Sequence, residues 1–102
     1  MTSSSKLSPL STKEKKALKS KAHHLNPIII VGQKGLTQSV LDETEIALEH
    51  HELIKIKANQ HSKEDCEAYA SQICKSLKAE FIGRIGKTII IYRKTTGKNS
   101  KN

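Results

Sequence analysis

The chain has 102 residues, of which 35% are hydrophobic and 27% charged, and its formal net charge is +8. This length allows one small domain with a single core, and the positive charge favours a polyanionic partner, nucleic acid before an anionic membrane. The longest apolar run covers residues 28–31, which is too short to cross a bilayer. The N-terminal residues lack the apolar segment of a secretory signal, so we expect no such signal.

The first element is predicted to be a lysine-rich helix. Residues 1–9 are Ser-rich and without a pattern, so we expect a disordered tail there. Ser11 and Glu14 have the spacing of a capping box, which predicts that a helix begins at this point. It should end at about His24, because Pro27 disfavours helical backbone in the residue before it.

A short strand and a second helix are predicted next. Residues 28–31 are apolar and β-branched, which is typical of a buried strand. A turn with two glycines follows at residues 32–35. Thr37 then predicts the N-cap of a helix that extends to about His51.

The second half of the chain predicts a strand, a helix and a hairpin. Residues 53–58 alternate between apolar side chains and lysines, the pattern of a strand with one wetter face. Ser62 predicts the cap of a third helix, which has an apolar side chain at every third or fourth position. Residues 81–85 and 88–92 predict an antiparallel hairpin, and residues 95–102 predict a basic disordered tail.

This order of elements, α-β-α-β-α-β-β, predicts a compact α/β domain over residues 10–94. The first two strands and the helix between them should form a right-handed crossover with parallel strands. The terminal hairpin adds antiparallel pairs, so we expect a mixed four-stranded sheet. With one Phe, two Tyr and no Trp, the core must be aliphatic.

Positive charge is concentrated at the two ends of the chain. Residues 1–35 contain seven lysines and one acid, residues 36–82 contain five lysines and nine acids, and residues 83–102 contain six basic residues and no acid. If folding brings the basic ends together, the molecule has a one-sided positive field that favours nucleic acid. The basic residues that we expect to contact it are Lys13, Lys16 and Lys19 in the first helix, and Arg84, Lys87 and Arg93 in the hairpin and its exit.

The turn at residues 32–35 is the second candidate feature. Glycines let a backbone approach a ligand closely, and the helix that follows offers free N–H groups and the positive end of its dipole. Such a turn could hold a phosphate, or it could be an ordinary structural turn like the one predicted by the same spacing at residues 83–86. The residues of the predicted phosphate site are Gly32, Gln33, Lys34, Gly35 and Thr37.

The sequence does not predict catalysis, a metal or a cofactor. Cys66 and Cys74 are eight residues apart on one predicted helix, about 12 Å along its axis, which is too far for a disulfide. We therefore expect free thiols and a cytoplasmic protein. The adjacent histidine pairs at residues 23–24 and 50–51 point about 100° apart on a helix, which disfavours a shared metal ion.

Three segments resemble the signatures of the CRM domain family, named for chloroplast RNA splicing and ribosome maturation. They are residues 24–37 (HLNPIIIVGQKGLT), 50–57 (HHELIKIK) and 85–93 (IGKTIIIYR). The resemblance covers about residues 10–94, with the three motifs in the family's order. It is strongest to the stand-alone bacterial YhbY-like members.

The resemblance implies an α/β fold similar to the C-terminal domain of translation initiation factor three. It implies binding to structured RNA and association with precursors of the large ribosomal subunit during assembly. The turn at residues 32–35 matches the RNA-contacting loop of the family, with Gln33 at a position that is often basic. We expect a monomer without a cofactor, a metal or a membrane partner.

Two other interpretations stay open at this point. The second helix has an acidic outer face, which would make the protein an adaptor that binds another protein and keeps its partner after nuclease treatment. DNA binding is a variant of RNA binding, and competition between structured RNA and duplex DNA would separate the two. The residues of the acidic face are Asp42, Glu43, Glu45 and Glu49.

Overall fold

The computed structural model describes residues 11–94, which form three helices and four strands. The helices are α1 (Thr12–Ala22), α2 (Gln38–His51) and α3 (Lys63–Leu77), and the strands are β1 (Ile29–Ile30), β2 (Leu53–Lys57), β3 (Glu80–Ile85) and β4 (Thr88–Tyr92). This order is the predicted one and confirms the α/β fold class. The two expected tails lie outside the described residues.

Each helix begins at the cap that the sequence predicts. The Ser11 hydroxyl accepts a hydrogen bond from the Glu14 N–H at 3.1 Å, and the Glu14 carboxylate accepts the Ser11 N–H at 3.0 Å. The side chains of Thr37 and Ser62 likewise accept the N–H three residues further on. These bonds satisfy N–H groups that have no partner inside a helix.

Two element boundaries differ from the prediction. Helix α1 ends at Ala22 rather than at about His24, because residues 23–25 bond to carbonyls three residues back, in the tighter geometry of a 3₁₀ turn. Strand β1 covers two of the four predicted residues, although the flanking N–H groups of Ile28 and Val31 still bond to carbonyls of β2.

The four strands form one mixed sheet in the order β1-β2-β4-β3. Strand β1 is parallel to β2, and β4 is antiparallel to both β2 and β3, as predicted. The register between β3 and β4 shifts between Phe81 and Gly83, where β3 has an irregularity.

Helices cover both faces of this sheet. On one face, α2 and α3 pack over a cluster that includes the buried residues Leu48, Ile54, Ile56, Ile73, Ile89 and Ile91. On the other face, which we call the α1 face, Ala22 packs with Leu53, Ile82 and Ile90. Both clusters are aliphatic, as the composition predicts.

Candidate nucleic-acid interface

The glycine turn joins the end of β1 to the start of α2. The Gly35 N–H donates to the Gly32 carbonyl at 3.0 Å, which closes the turn. Gly32, Gln33 and Lys34 are exposed, whereas Gly35 is buried. Within residues 11–94, the N–H groups of Gln33 and Lys34 and the Lys34 ammonium have no partner. The turn therefore offers two backbone donors and one cation to a ligand.

Position 35 requires glycine for two reasons. Its φ is +79°, in the left-handed region that side chains disfavour. A Cβ at this position would also lie 2.9 Å from Tyr69 Oη, closer than atoms in contact can pack. At Gly32, by contrast, a Cβ would meet nothing within 4 Å.

A histidine and a tyrosine hold the turn in place. His61 Nε2 lies 2.7 Å from the Gly32 carbonyl oxygen. Because a carbonyl only accepts, Nε2 donates this hydrogen bond, and the hydroxyl oxygen of Tyr69 lies 3.2 Å from Nδ1 of the same ring. No local sequence pattern distinguishes this pair, because Tyr69 fits the apolar periodicity of α3 and His61 lies in the loop before that helix.

The N-terminus of α2 lies directly beyond the turn. Thr37 Oγ1 accepts the Val40 N–H at 3.3 Å, and the N–H groups of Gln38 and Ser39 have no acceptor inside the helix. The first turn of α2 contains no acidic residue, whereas the first turn of α3 contains two. The first turn of α2 therefore has no carboxylate to offset the positive end of its dipole; the first acid is Asp42, one turn further on, which accepts a hydrogen bond from the Gln38 side chain at 2.9 Å.

Three segments that carry a cation or a hydrogen-bond donor lie at one end of the sheet. Strands β1 and β2 end where β4 begins. The Ala58 N–H donates to the Lys87 carbonyl at 2.9 Å, and Lys87 Nζ lies 3.5 Å from the Asn59 carbonyl oxygen. Residues 32–35, residues 58–61 and the hairpin turn at residues 86–87 thus share this end, which we call the loop end.

Helix α1 packs directly on the terminal hairpin. A Cβ at Gly83 would lie 3.1 Å from Lys19 Cε, so the lysine stem covers the backbone of β3 there. The basic N-terminal and C-terminal parts of the chain therefore meet at this point. Lys13 and Lys16 are exposed on the same helix and pair with no acid among residues 11–94.

Arg84 lies on the opposite side of the sheet from α1. Its partner across the ladder is Ile89, which is buried under α2 and α3. The guanidinium lies 3.1 Å from a carboxylate oxygen of Glu67 on α3 and also donates to the Gly86 carbonyl. These contacts hold the shape of the hairpin turn and engage both terminal nitrogens of the Arg84 guanidinium.

Arg93 lies at the far end of the sheet, away from the glycine turn. It donates to the Leu77 carbonyl at 2.8 Å, at the C-terminus of α3. Its guanidinium also lies 3.7 Å from carboxylate oxygens of both Glu45 and Glu49 on α2. Arg93 therefore forms ion pairs with acids of this same chain, and it does not lie at the loop end.

The described residues offer little for other kinds of chemistry. Among residues 11–94, no three His, Cys, Asp or Glu side chains are placed to hold a metal ion, and no helix there has the length and apolar character needed to span a bilayer. Cys66 and Cys74 are free thiols, as predicted. Burial, with a smaller contribution from Glu80, raises the pKa of Cys74 to about 11, so this thiol is protonated at neutral pH and a poor nucleophile.

Comparison with known sequences agrees with the resemblance noted above. Residues 10–93 match the CRS1/YhbY (CRM) domain. A Haemophilus influenzae protein named "RNA-binding protein" is 44% identical over 87 residues, which cover 85% of this chain and 88% of that protein. The Bacillus subtilis "Probable RNA-binding protein YqeI" is 37% identical over 86 residues, covering 84% of this chain and 90% of the relative.

A solved structure shares the architecture. The solution structure of a Staphylococcus aureus protein matches this fold with a TM-score of 0.77 at 31% identity, over 85% of this chain and 91% of that one. The matched family is an RNA-binding domain and not a known class of enzyme. This chain belongs to the CRS1/YhbY (CRM) domain family.

Proposed function

We propose that this protein binds structured RNA through the loop end of its sheet, and that its target is ribosomal RNA in precursors of the large subunit. The observation that carries the proposal is the glycine turn, which is closed, has Lys34 exposed, and leads to a helix whose first turn contains no acid. The names of the relatives support RNA binding, and the family resemblance supports the ribosomal target.

The expected contacts are with the RNA backbone. Phosphate oxygens accept hydrogen bonds from the free N–H groups of Gln33, Lys34 and the first turn of α2. The ammonium groups of Lys34 and Lys87 supply full positive charges. Because these groups contact phosphates rather than base edges, they position the RNA and recognise its shape.

The Lys34→Glu variant tests this site. It places a negative charge among the proposed phosphate contacts, so we expect at least about a tenfold loss of affinity for a structured fragment of large-subunit ribosomal RNA. The measurement is fluorescence anisotropy titration at several salt concentrations, with thermal unfolding recorded in parallel. Wild-type affinity should fall steeply with salt, and the melting temperature of the variant should stay unchanged.

Lys75→Glu is the matched control. Lys75 is exposed in the last turn of α3, and the substitution changes the net charge by the same amount. We expect it to retain most of the wild-type affinity. Equal affinities for Lys34→Glu and the wild type would show that the turn is not the site.

The ribosomal target needs a measurement in cells. Crosslinking the protein to RNA, followed by sequencing of the attached fragments, should give a peak in large-subunit precursor RNA. A peak in other transcripts would refute the ribosomal target while leaving the RNA-binding site in place.

The acidic face of α2 supports a second candidate, a protein partner. Ile46 is 58% exposed, and Glu43 and Glu49 stand one helical turn to either side of it. An exposed aliphatic side chain between carboxylates suits a basic partner with an apolar contact. A partner bound in this way would stay bound after nuclease treatment, and charge reversal at Glu43 would release it.

A further inference from the structure

The α1 face of the sheet carries three rows of side chains across the strands. Residues that pair directly on neighbouring strands project from the same face. By the register of the sheet, the rows are Leu53, Tyr92 and Glu80; then Lys55, Ile90 and Gly83; then Ile30, Lys57, Thr88 and Ile85. We call the third of these the open row.

Helix α1 covers the first two rows and leaves the third. Leu53 is 6% exposed and Ile90 is fully buried, both against α1. In the open row, Ile30 is 66% exposed and Ile85 is 41% exposed. Two large aliphatic side chains at this exposure add little to the stability of the fold, which leaves them available for a ligand.

The open row lies directly beside the loop end. Ile30 stands two residues before Gly32, while Ile85 and Thr88 flank the hairpin turn. Lys57 lies between the isoleucines, and its ammonium has no partner within residues 11–94. A row across four strands spans roughly 14 Å, enough for more than one nucleotide.

We propose that the open row binds unpaired nucleotides of the RNA whose phosphates the glycine turn holds, an inference that rests on the function proposed above. Bases and sugars contact Ile30 and Ile85, a phosphate between them contacts Lys57, and Thr88 offers a hydroxyl. This order of apolar and charged groups matches an RNA strand, in which flat base faces alternate with phosphates.

Unpaired RNA fits this row better than duplex RNA does. In a duplex the base faces are stacked on one another, whereas loops and bulges expose them. We therefore expect the protein to bind a structured RNA with an unpaired loop more tightly than the same RNA stem without a loop.

Charge argues against two other occupants. A second copy docked about a two-fold axis through the centre of this row would bring two Lys57 ammonium groups together, and like charges repel. Residues 1–10 contain Lys6 and no acid, so they also lack a group that would pair with Lys57.

The test compares two RNAs with a double variant of the open row, a control variant and the Lys34→Glu variant described above. The RNAs are a hairpin with an unpaired loop and a blunt duplex with the same stem. The variant Ile30→Thr/Ile85→Thr removes apolar surface and keeps the β-branching that strands favour. We expect it to bind the looped RNA more weakly by on the order of tenfold and the duplex as the wild type does. The control is Ile46→Thr, an exposed isoleucine on α2, which should change neither affinity.

NMR of isoleucine methyl groups gives a second readout in the unmodified chain. The δ1 methyl signals of Ile30 and Ile85 should shift when looped RNA is added and stay in place with duplex, and the Ile46 signal should stay in place with both.

The other outcomes each decide a question. If the double variant binds both RNAs like the wild type while Lys34→Glu binds neither, the open row is not a site and the proposed function stands. If the double substitution instead changes the oligomeric state or destabilises the free protein, a second copy or residues 1–10 cover the row, and the inference is wrong. If the wild type binds neither RNA, the proposed function and this inference fail together.

Discussion

The two ends of the sheet use positive charge in opposite ways. At or beside the loop end, Lys34 and Lys57 have no acidic partner among the described residues and Lys87 contacts only a carbonyl, although Arg84 pairs with Glu67 there. At the far end, Arg93 is held by two carboxylates of α2 and a carbonyl of α3. A cation contributes to RNA binding only where the fold leaves it uncompensated. The first end is therefore suited to a polyanion, and the second joins the helices to the sheet.

The largest effect is expected from Gly35→Ala at the loop end. The substitution forces a side chain into positive φ and towards Tyr69 Oη, which should lower the free energy of unfolding by about 1–3 kcal/mol. The turn should also lose the shape on which RNA binding depends. Chemical denaturation and RNA titration measure the two effects.

Gly32→Ala provides the matched comparison for that experiment. A Cβ at position 32 has open space, so stability should stay close to that of the wild type. If Gly35→Ala proves no more destabilising than Gly32→Ala, neither the positive φ nor the approach to Tyr69 makes glycine necessary at position 35.

At the far end, Arg93→Ala should affect stability and not RNA binding. It removes a hydrogen bond to the Leu77 carbonyl and leaves Glu45 and Glu49 without their cation. Because these groups are partly exposed, we expect a loss of about 1–2 kcal/mol in the free energy of unfolding. If Arg93→Ala clearly lowered RNA affinity and left stability unchanged, the proposed difference between the two ends would be wrong.

Lys87→Ala should show the reverse behaviour. Its ammonium makes a single contact at 3.5 Å, with the Asn59 carbonyl, so stability should barely change. RNA affinity should fall a few-fold, and the slope of log affinity against log salt should decrease by about 1, since one phosphate contact is lost. An unchanged slope would exclude Lys87 from the interface.

A further loss of stability is expected at alkaline pH, and it originates near the far end. Burial, and then Glu80, raise the pKa of Cys74 from 9.0 to about 11. The neutral thiol is therefore favoured in the folded state, and its contribution is complete below pH 9 and is lost as the pH rises through 11. Burial raises the pKa of Tyr92 in the same direction, so the thiol is isolated by comparing wild type with Cys74→Ala. Parallel stability curves between pH 8 and 11.5 would contradict this assignment.

Local sequence was sufficient for most of the fold. The capping residues Ser11, Thr37 and Ser62 lie within three residues of the groups they bond, so spacing alone predicts them. The parallel pairing of β1 and β2 follows from the handedness of crossover connections, which holds across folds.

The site was harder to predict because its decisive contacts join distant segments. Arg93 and Lys87 look alike in sequence, and only the fold brings Glu45 and Glu49 of α2 close to Arg93. The two Gly-x-x-Gly segments also look alike. One ends at Gly35 before a helix, whereas the other begins at Gly83 inside β3 under Lys19.

The bond from His61 to the Gly32 carbonyl has a consequence for how fast and how tightly RNA is bound. Because the ring fixes the turn in the free protein, little conformational entropy is lost from this loop when a ligand arrives, and preorganisation of this kind strengthens binding without adding a contact. Association should then resemble the docking of a rigid surface, with a rate governed by electrostatic attraction rather than by loop folding.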